Sequence, residues 1–199
     1  MTSHVKAFPL IGLAGRARTG KTTVADRLTA EYGYSNLSFA APIREFVAQL
    51  TGITLAELEN TEVKEAVILW IGKSPRQLMQ TLGTEWGRQL VREDFWVRRA
   101  LAAAETIPGG RAVISDVRFD NEAEAIRAAG GVVLHIVRPD ALEVSSHPSE
   151  AGVARDPRDF IIFNDLSLSA LHKEVEHFLY GLWRRAEKAD TALLESFRA

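Results

Sequence analysis

Near the start of the chain, Gly15-Arg16-Ala17-Arg18-Thr19-Gly20-Lys21-Thr22 fits the pattern G-x-x-x-x-G-K-[ST] at every fixed position. No other stretch restricts the fold as much. A loop of this kind curls its backbone N–H groups around an anion. It needs a strand leading in, glycines where the backbone takes unusual dihedrals, and a helix leading out with its positive end on the bound group. The flanking residues meet that demand. Ala7 to Ala14 reads as a short buried strand, and Gly20 to Tyr32 as a helix with Val24, Ala25 and Leu28 on one side. The pattern predicts nucleotide phosphates held by the loop, with Gly15, Arg18, Thr19 and Gly20 shaping it. Lys21 would reach the β- and γ-phosphates and Thr22 would offer its hydroxyl to Mg²⁺.

The remaining sequence alternates strand and helix. Tyr34 to Ala40 reads as a second strand, and Pro42 suits the first turn of the helix "PIREFVAQL". Thr54 to Ala104 is helical in pattern almost throughout. Arg111 to Asp116 is a third strand, followed by a helix from about Asn121 to Ala129 and a fourth strand over Gly131 to Val137. Residues 138–158 are polar, carry three prolines and show no period, which reads as a loop or lid. Phe160 to Asn164 is a fifth strand, Ser167 to Tyr180 a helix, and the rest a helical tail. This order predicts an α/β fold of the phosphate-loop NTPase type: a mostly parallel five-stranded sheet, helices on both faces, a helical insertion and a lid loop.

Composition excludes several classes. The 199 residues contain no cysteine, so neither disulfides nor cysteine-ligated metals are available, as befits a reducing cytosol. A net charge of −2 offers no global basic field for a nucleic-acid polymer or an anionic membrane. The N-terminal apolar run is broken by Pro9 and Gly12, unlike a signal peptide, and no apolar run approaches the roughly 18 residues of a membrane helix. The expected location is the cytoplasm, and any positive site must be local.

Several residues are candidates for such a site. Asp116 closes an apolar strand, where proteins with this loop place an acidic residue to organise Mg²⁺ through water; its alternative is a helix cap. Arg118 lies two residues on, with a guanidinium able to bind phosphate bidentately, unless it pairs with Asp120 or Glu122. In "SPRQLMQTLGTEWGRQL", Arg76, Gln80, Thr84 and Arg88 form an i, i+4 row of cations, an amide and a hydroxyl, suited to a phosphate, a base edge and a sugar, or else a solvated face. Trp86 and Trp96 lie nearby, as core residues or as platforms for a base. The lid holds Arg138 and Arg155, cations that closure could bring to a transferring phosphoryl group.

Taken jointly, "GRARTGKTTVAD", "FAAPIRE", "RQLMQTLGTE", "FWVRRAL", "SDVRFDNEAEAIRAAGGVVLHIVRP", "SHPSEAG" and "IIFNDLSLSAL" resemble the bacteriophage-type deoxynucleoside monophosphate kinases, from the loop to about Leu171. The resemblance implies that ATP donates its γ-phosphoryl group to a nucleoside 5′-monophosphate. It implies that Arg76, Gln80, Gly83 and Thr84 line the monophosphate site within a helical region of about residues 42–104, with Arg88 beside them and Trp96 stacked on the base. Asp116, Arg118 and Glu122 would lie where the two phosphate chains meet, and Glu150 of "SHPSEAG" on the acceptor side. Arg44 stands where the family commonly has a lysine. Family loops often read Gly-Lys-Asp-Thr, so Thr23 as well as Thr22 is a candidate Mg²⁺ ligand. Asn164 would touch the donor adenine, and a homodimer is implied.

The expected reaction is in-line transfer with no covalent enzyme intermediate, charge on the moving group being met by Lys21, Arg118, Arg138 and Mg²⁺. Competing readings are another small-molecule kinase of this fold, such as a dephospho-coenzyme A kinase, and a non-enzymatic nucleotide-binding module. A DNA-binding ATPase is disfavoured by the charge balance.

Overall fold

The computed structural model describes residues 10–139 and 152–196, with 188–196 given by their backbone alone. Five strands, β1 (Ile11–Ala14), β2 (Ser35–Leu37), β3 (Ala112–Val117), β4 (Val132–Val137) and β5 (Phe160–Phe163), form one sheet in the order β2-β3-β1-β4-β5. β1 pairs in parallel with β3 and β4, and β4 with β5. The chain therefore runs from β1 to the edge strand β2, returns to β3 beside β1, and then crosses to the other side of β1 for β4 and β5. In open sheets of this kind ligands bind beyond the carboxyl ends of the strands at that reversal, here just past Ala14.

Residues 1–36 and 104–199 form one compact unit and residues 37–103 a second. In the first unit, helices α1 (Lys21–Tyr32) and α7 (Leu168–Ser196) share one apolar core with the sheet. Ile11 and Leu13 of β1, Leu134 and Ile136 of β4, and Ile162 of β5 pack there with Val24, Leu28, Leu171, Val175 and Phe178. Burying each of these aliphatic side chains contributes about 1.5–3 kcal/mol against exposure. The other face carries α6 (Asp120–Ala128), with Ala123 and Ile126 fully buried over β1 and β4. β2 is shorter than the expected Tyr34 to Ala40. The Ser38 hydroxyl accepts the Ala40 N–H at 3.1 Å, a local turn that ends the strand.

The α6 face also holds an ionic cluster. Asp159, just before β5 and only 2% exposed in its side chain, accepts Arg127 Nε at 2.9 Å and Nη2 at 2.7 Å. His135 Nε2 lies 2.8 Å from the same carboxylate, and the Asp156 N–H donates to it at 3.0 Å. Burial pushes this carboxyl up, but the bonds from Arg127, the Asp156 N–H and His135 outweigh it and hold the group below the usual aspartate range. The cluster ties α6, β4 and the approach to β5 together.

The second unit is less regular than its sequence suggests. It contains α2 (Ala41–Thr51), a 3₁₀ turn (Glu57–Glu59), α3 (Thr61–Glu65), α4 (Pro75–Gln80) and α5 (Phe95–Glu105). "EVKEAVILWI" reads as helix, yet α3 stops at Glu65, Ala66 is extended, and Ile68 pairs antiparallel with Lys73 across a turn. The β-branched and aromatic run Val67 to Ile71 favours that choice. Leu69 and Trp70, at 94% and 72% exposed, form the tip of the turn.

Beyond α4 the chain does not continue as α-helix. Thr81–Val91 is a π-helical run, and the Arg92 N–H closes it onto the Gly87 carbonyl, five residues back, at 2.9 Å. Such runs are rare and concentrate at functional sites. Two observations account for this one. Gly83 and Gly87 lower the preference for α-helix by about 1 kcal/mol each relative to alanine. The Gly83 carbonyl also receives an outside donor, Trp96 Nε1 at 2.8 Å.

Candidate active site

The glycine-rich loop leaves β1 at Gly15, whose φ of +150° belongs to glycine; a Cβ there would stand 2.5 Å from the Ile136 carbonyl oxygen of β4. Arg18 has φ +61°, a left-handed conformation that costs a non-glycine residue on the order of 1 kcal/mol or more. Strain of that kind persists where the surroundings enforce it. Thr19, 3% exposed, donates its hydroxyl to the Arg16 carbonyl at 3.0 Å and closes the loop upon itself. Lys21 folds back over it, its Nζ donating to the carbonyls of Gly15 at 2.6 Å and Arg16 at 2.7 Å. Gly20, which has no side chain to cap with, is the N-cap of α1. The positive end of α1 therefore meets the loop, where it favours an anion.

Asp116 lies beside this loop because of an irregularity in the sheet. Gly12 pairs with Ile114 and Ala14 with Val117, so Leu13 alone on β1 faces Ser115 and Asp116 on β3. At that bulge the burial of the strand lapses: Ser115 and Asp116 are both half-buried, between buried Ile114 and Val117. Bulges re-aim side chains, often next to active sites. Asp116 thus stands one residue before the end of β3, in the bulge opposite Leu13.

Arg118 follows directly and is exposed. Its backbone N–H donates to Glu122 Oε2 at 2.8 Å, and the Phe119 N–H donates to the same oxygen at 3.2 Å. Glu122 is 2% exposed and works as a cap on the N-terminus of α6. Asp120, one of the alternative partners for Arg118, accepts the Ala154 N–H at 2.7 Å. Arg138 stands exposed just after β4. Of the expected lid, 152–158 is described. Arg158 there pairs with Asp156 and Glu124, while Glu150 lies outside the described residues.

In the second unit, Ser74 and Gln77 form a capping box at the start of α4, with Pro75 in its first turn. Arg76, Gln80 and Thr84 are exposed along the outside and Arg88 is half-buried. The row crosses from α- to π-helix at Thr81, so its two halves follow different pitches. Arg76 Nε is ion-paired with Glu65, and Arg44 Nη1 lies 3.4 Å from Glu59, carboxylates with no signal in the sequence to mark them.

Trp96 is 6% exposed, bonds Gly83 through its indole N–H, and lies edge-on to Phe95 with ring centroids 4.8 Å apart. A Cβ on Gly87 would come within 2.4 Å of its Nε1. The ring is core packing in the helical unit, which leaves little of it for a base to stack upon. Gly83 is buried as well, against Ile43.

Asn164 also departs from expectation. Its Nδ2 donates to the Thr19 carbonyl at 2.9 Å, so the amide that the resemblance assigned to adenine holds the phosphate loop itself.

The family model described as deoxynucleotide monophosphate kinase matches residues 51–175. The chain belongs to this family. The deoxynucleotide monophosphate kinase of Enterobacteria phage T4 is 26% identical over 236 aligned residues, covering 85% of this chain and 98% of that protein. A protein of Acanthamoeba polyphaga mimivirus is 28% identical over 183 residues, covering 83% and 93%. The Escherichia phage RB69 deoxynucleotide monophosphate kinase is 36% identical over 109 residues, covering 53% of this chain and 45% of that one. Among solved structures, a gluconokinase from Sinorhizobium meliloti 1021 covers 94% of this chain and 98% of its own at 16% identity and a TM-score of 0.48, too loose a likeness to carry an argument. The resemblance read from the sequence motifs is thereby borne out, although the glycine-rich loop itself lies upstream of the matched stretch. No helix among the described residues is long and apolar enough to cross a membrane.

Proposed function

We propose that the chain transfers the γ-phosphoryl group of ATP to (deoxy)nucleoside 5′-monophosphates, giving the diphosphate and ADP by in-line displacement. The observation that carries the donor half is the loop: strained at Arg18, set at the α1 N-terminus and roofed by Lys21. In this reading Lys21 exchanges the Gly15 and Arg16 carbonyls for β- and γ-phosphate oxygens, a short swing from a pre-formed position. The acceptor half rests on family membership and on Arg44, Arg76, Gln80, Thr84 and Arg88. Arg118 and Arg138 compensate charge on the moving group. The acceptor oxygen is already anionic, so no general base is required.

The donor set suits Mg²⁺. The hydroxyls of Thr22 and Thr23 at the start of α1 and the carboxylate of Asp116 in the bulge are hard oxygen ligands. The chemistry Mg²⁺ would supply there is to offset charge on the donor phosphates. Thr22 or Thr23 would hold it directly and Asp116 through water. Association into a homodimer and a cytoplasmic location complete the reading, on family likeness and on composition respectively.

ADP release from ATP and magnesium, measured against a panel of ribo- and deoxynucleoside monophosphates, tests this. At least one monophosphate should raise the rate well above the ATP-only background. A flat panel removes the kinase reading.

A further inference from the structure

We propose that Asn164 is a positioning residue for the phosphate loop: its side-chain amide clamps the Thr19 carbonyl and thereby sets the direction of the Gly20 N–H. The proposal rests on reading the loop as the donor phosphate site, and it goes beyond that reading by giving the end of β5 a part in shaping it.

The geometry begins with the helix. The Val24 N–H to Gly20 carbonyl bond, 3.0 Å, is the first rung leading into α1, so the Thr19 carbonyl lies outside the helical ladder. Asn164 Nδ2 supplies its donor at 2.9 Å. Asn164 is itself fixed, because its backbone N–H donates to the Val137 carbonyl at the end of β4 at 2.8 Å. The clamp thus runs from the sheet, through one amide, to the peptide that joins Thr19 to Gly20. Among the described residues no peptide bond is cis, and a trans peptide points its C=O and N–H in opposite directions. Holding the Thr19 oxygen toward β5 turns the Gly20 N–H the other way, to the side of the loop facing away from Asn164. That N–H precedes the first turn of α1, whose positive end favours an anion.

Gly20 has a second reason to be glycine here. A Cβ at that position would stand 2.6 Å from Asn164 Nδ2, so a side chain would displace the clamp even if its backbone tolerated φ +101°. The motif glycine and the distant asparagine are therefore fitted to one another. Without the amide, the buried Thr19 carbonyl loses its donor and the peptide is free to rotate. The loop then pays for its ordering when phosphate arrives.

The test is calorimetric binding of Mg-ATP and, separately, of magnesium tripolyphosphate to the full chain, for wild type, Asn164→Ala and Asn164→Leu. The leucine matches asparagine in size but donates nothing, so packing is kept where alanine leaves a gap. The clamp predicts that both variants stay folded and that both ligands weaken by the same factor, on the order of tenfold, for one lost bond to a buried carbonyl. In steady state the KM for ATP should rise while the KM for the monophosphate stays within about twofold. If only ATP weakens and tripolyphosphate does not, Asn164 reads the adenine and the clamp is overturned. Unchanged binding of both ligands in either folded variant overturns it too, as does failure of both variants to fold, since a positioning role predicts a folded protein. A wild-type chain that binds ATP but shows no acceptor-dependent turnover would remove the kinase reading while leaving this comparison intact.

Discussion

Adding one methyl group at Gly87 sets two magnitudes against each other. In a solvent-exposed α-helix, glycine to alanine gains about 1 kcal/mol through reduced backbone entropy. At Gly87 the new Cβ would lie 2.4 Å from Trp96 Nε1, 2.7 Å from Cε2 and 2.9 Å from Cζ2, all well inside contact distance. The indole cannot slide away cheaply. Its N–H is held by the Gly83 carbonyl at 2.8 Å, and Phe95 packs edge-on against it. Overpacking of this kind costs about 1–3 kcal/mol, and losing the indole bond with its carbonyl left buried costs about 1–3 more. After subtracting the propensity gain, Gly87→Ala should destabilise by about 1–5 kcal/mol. For a chain of this length each kcal/mol moves Tm by about 2–4 °C. Thermal unfolding followed by circular dichroism, with tryptophan fluorescence in parallel, measures the shift. Trp96→Phe supplies the partner variant, and the double variant should recover part of the loss because the clash and the bond vanish together. A Gly87→Ala protein melting at or above the wild-type temperature would refute the account of why this segment departs from α-helix.

Two other outcomes are expected. Lys21→Ala should lower kcat by about 10²–10³-fold, the cost typical of losing one charge-stabilising donor, with Tm nearly unchanged; full activity by coupled ADP assay would relocate the phosphate site. Asp159→Asn leaves Arg127, 7% exposed in its side chain, with Glu124 and the Ala154 carbonyl at 3.3 Å as partners, and should cost about 1–3 kcal/mol in urea unfolding at pH 7. Because the Asp159 carboxyl is depressed in the folded chain, its contribution is complete above the unfolded value of about 3.9 and is lost as pH falls through the lower folded one. The stability difference between wild type and Asp159→Asn should therefore shrink below about pH 4, and a difference that stays constant there would contradict the pairing.

What could be read in advance was local. Strand, loop and helix around Gly15 to Lys21 follow from neighbouring residues alone, as do the capping of α4 by Ser74 and the alternation that makes the sheet parallel. What could not be read depended on residues far apart in the chain. Trp96 resembles an available ring until Gly83 and Gly87, nine or more positions earlier, are seen to take its N–H and its edge. Glu122 resembles a site carboxylate until it folds onto the Arg118 and Phe119 amides. Asn164 meets Thr19 across 145 positions, a separation no periodicity records. Local reading also failed in places: the β-branched shapes in "AVILWI" outweigh its apolar count, the Ser38 turn cuts β2 short, and Thr81–Val91 winds as π-helix.

The bulge opposite Leu13 bears on how this protein can change. A sheet selected only for regular pairing would lose one residue between Ile114 and Val117, restoring an unbroken ladder. That shortening would also turn the carboxylate of Asp116 to the opposite side of the strand. On the proposed reading of Asp116, selection for a sturdier sheet and selection for a magnesium ligand act in opposing directions on the same pair of residues. Substitutions that stabilise this chain are better sought on α7 or in the apolar core beneath it, where no such conflict arises.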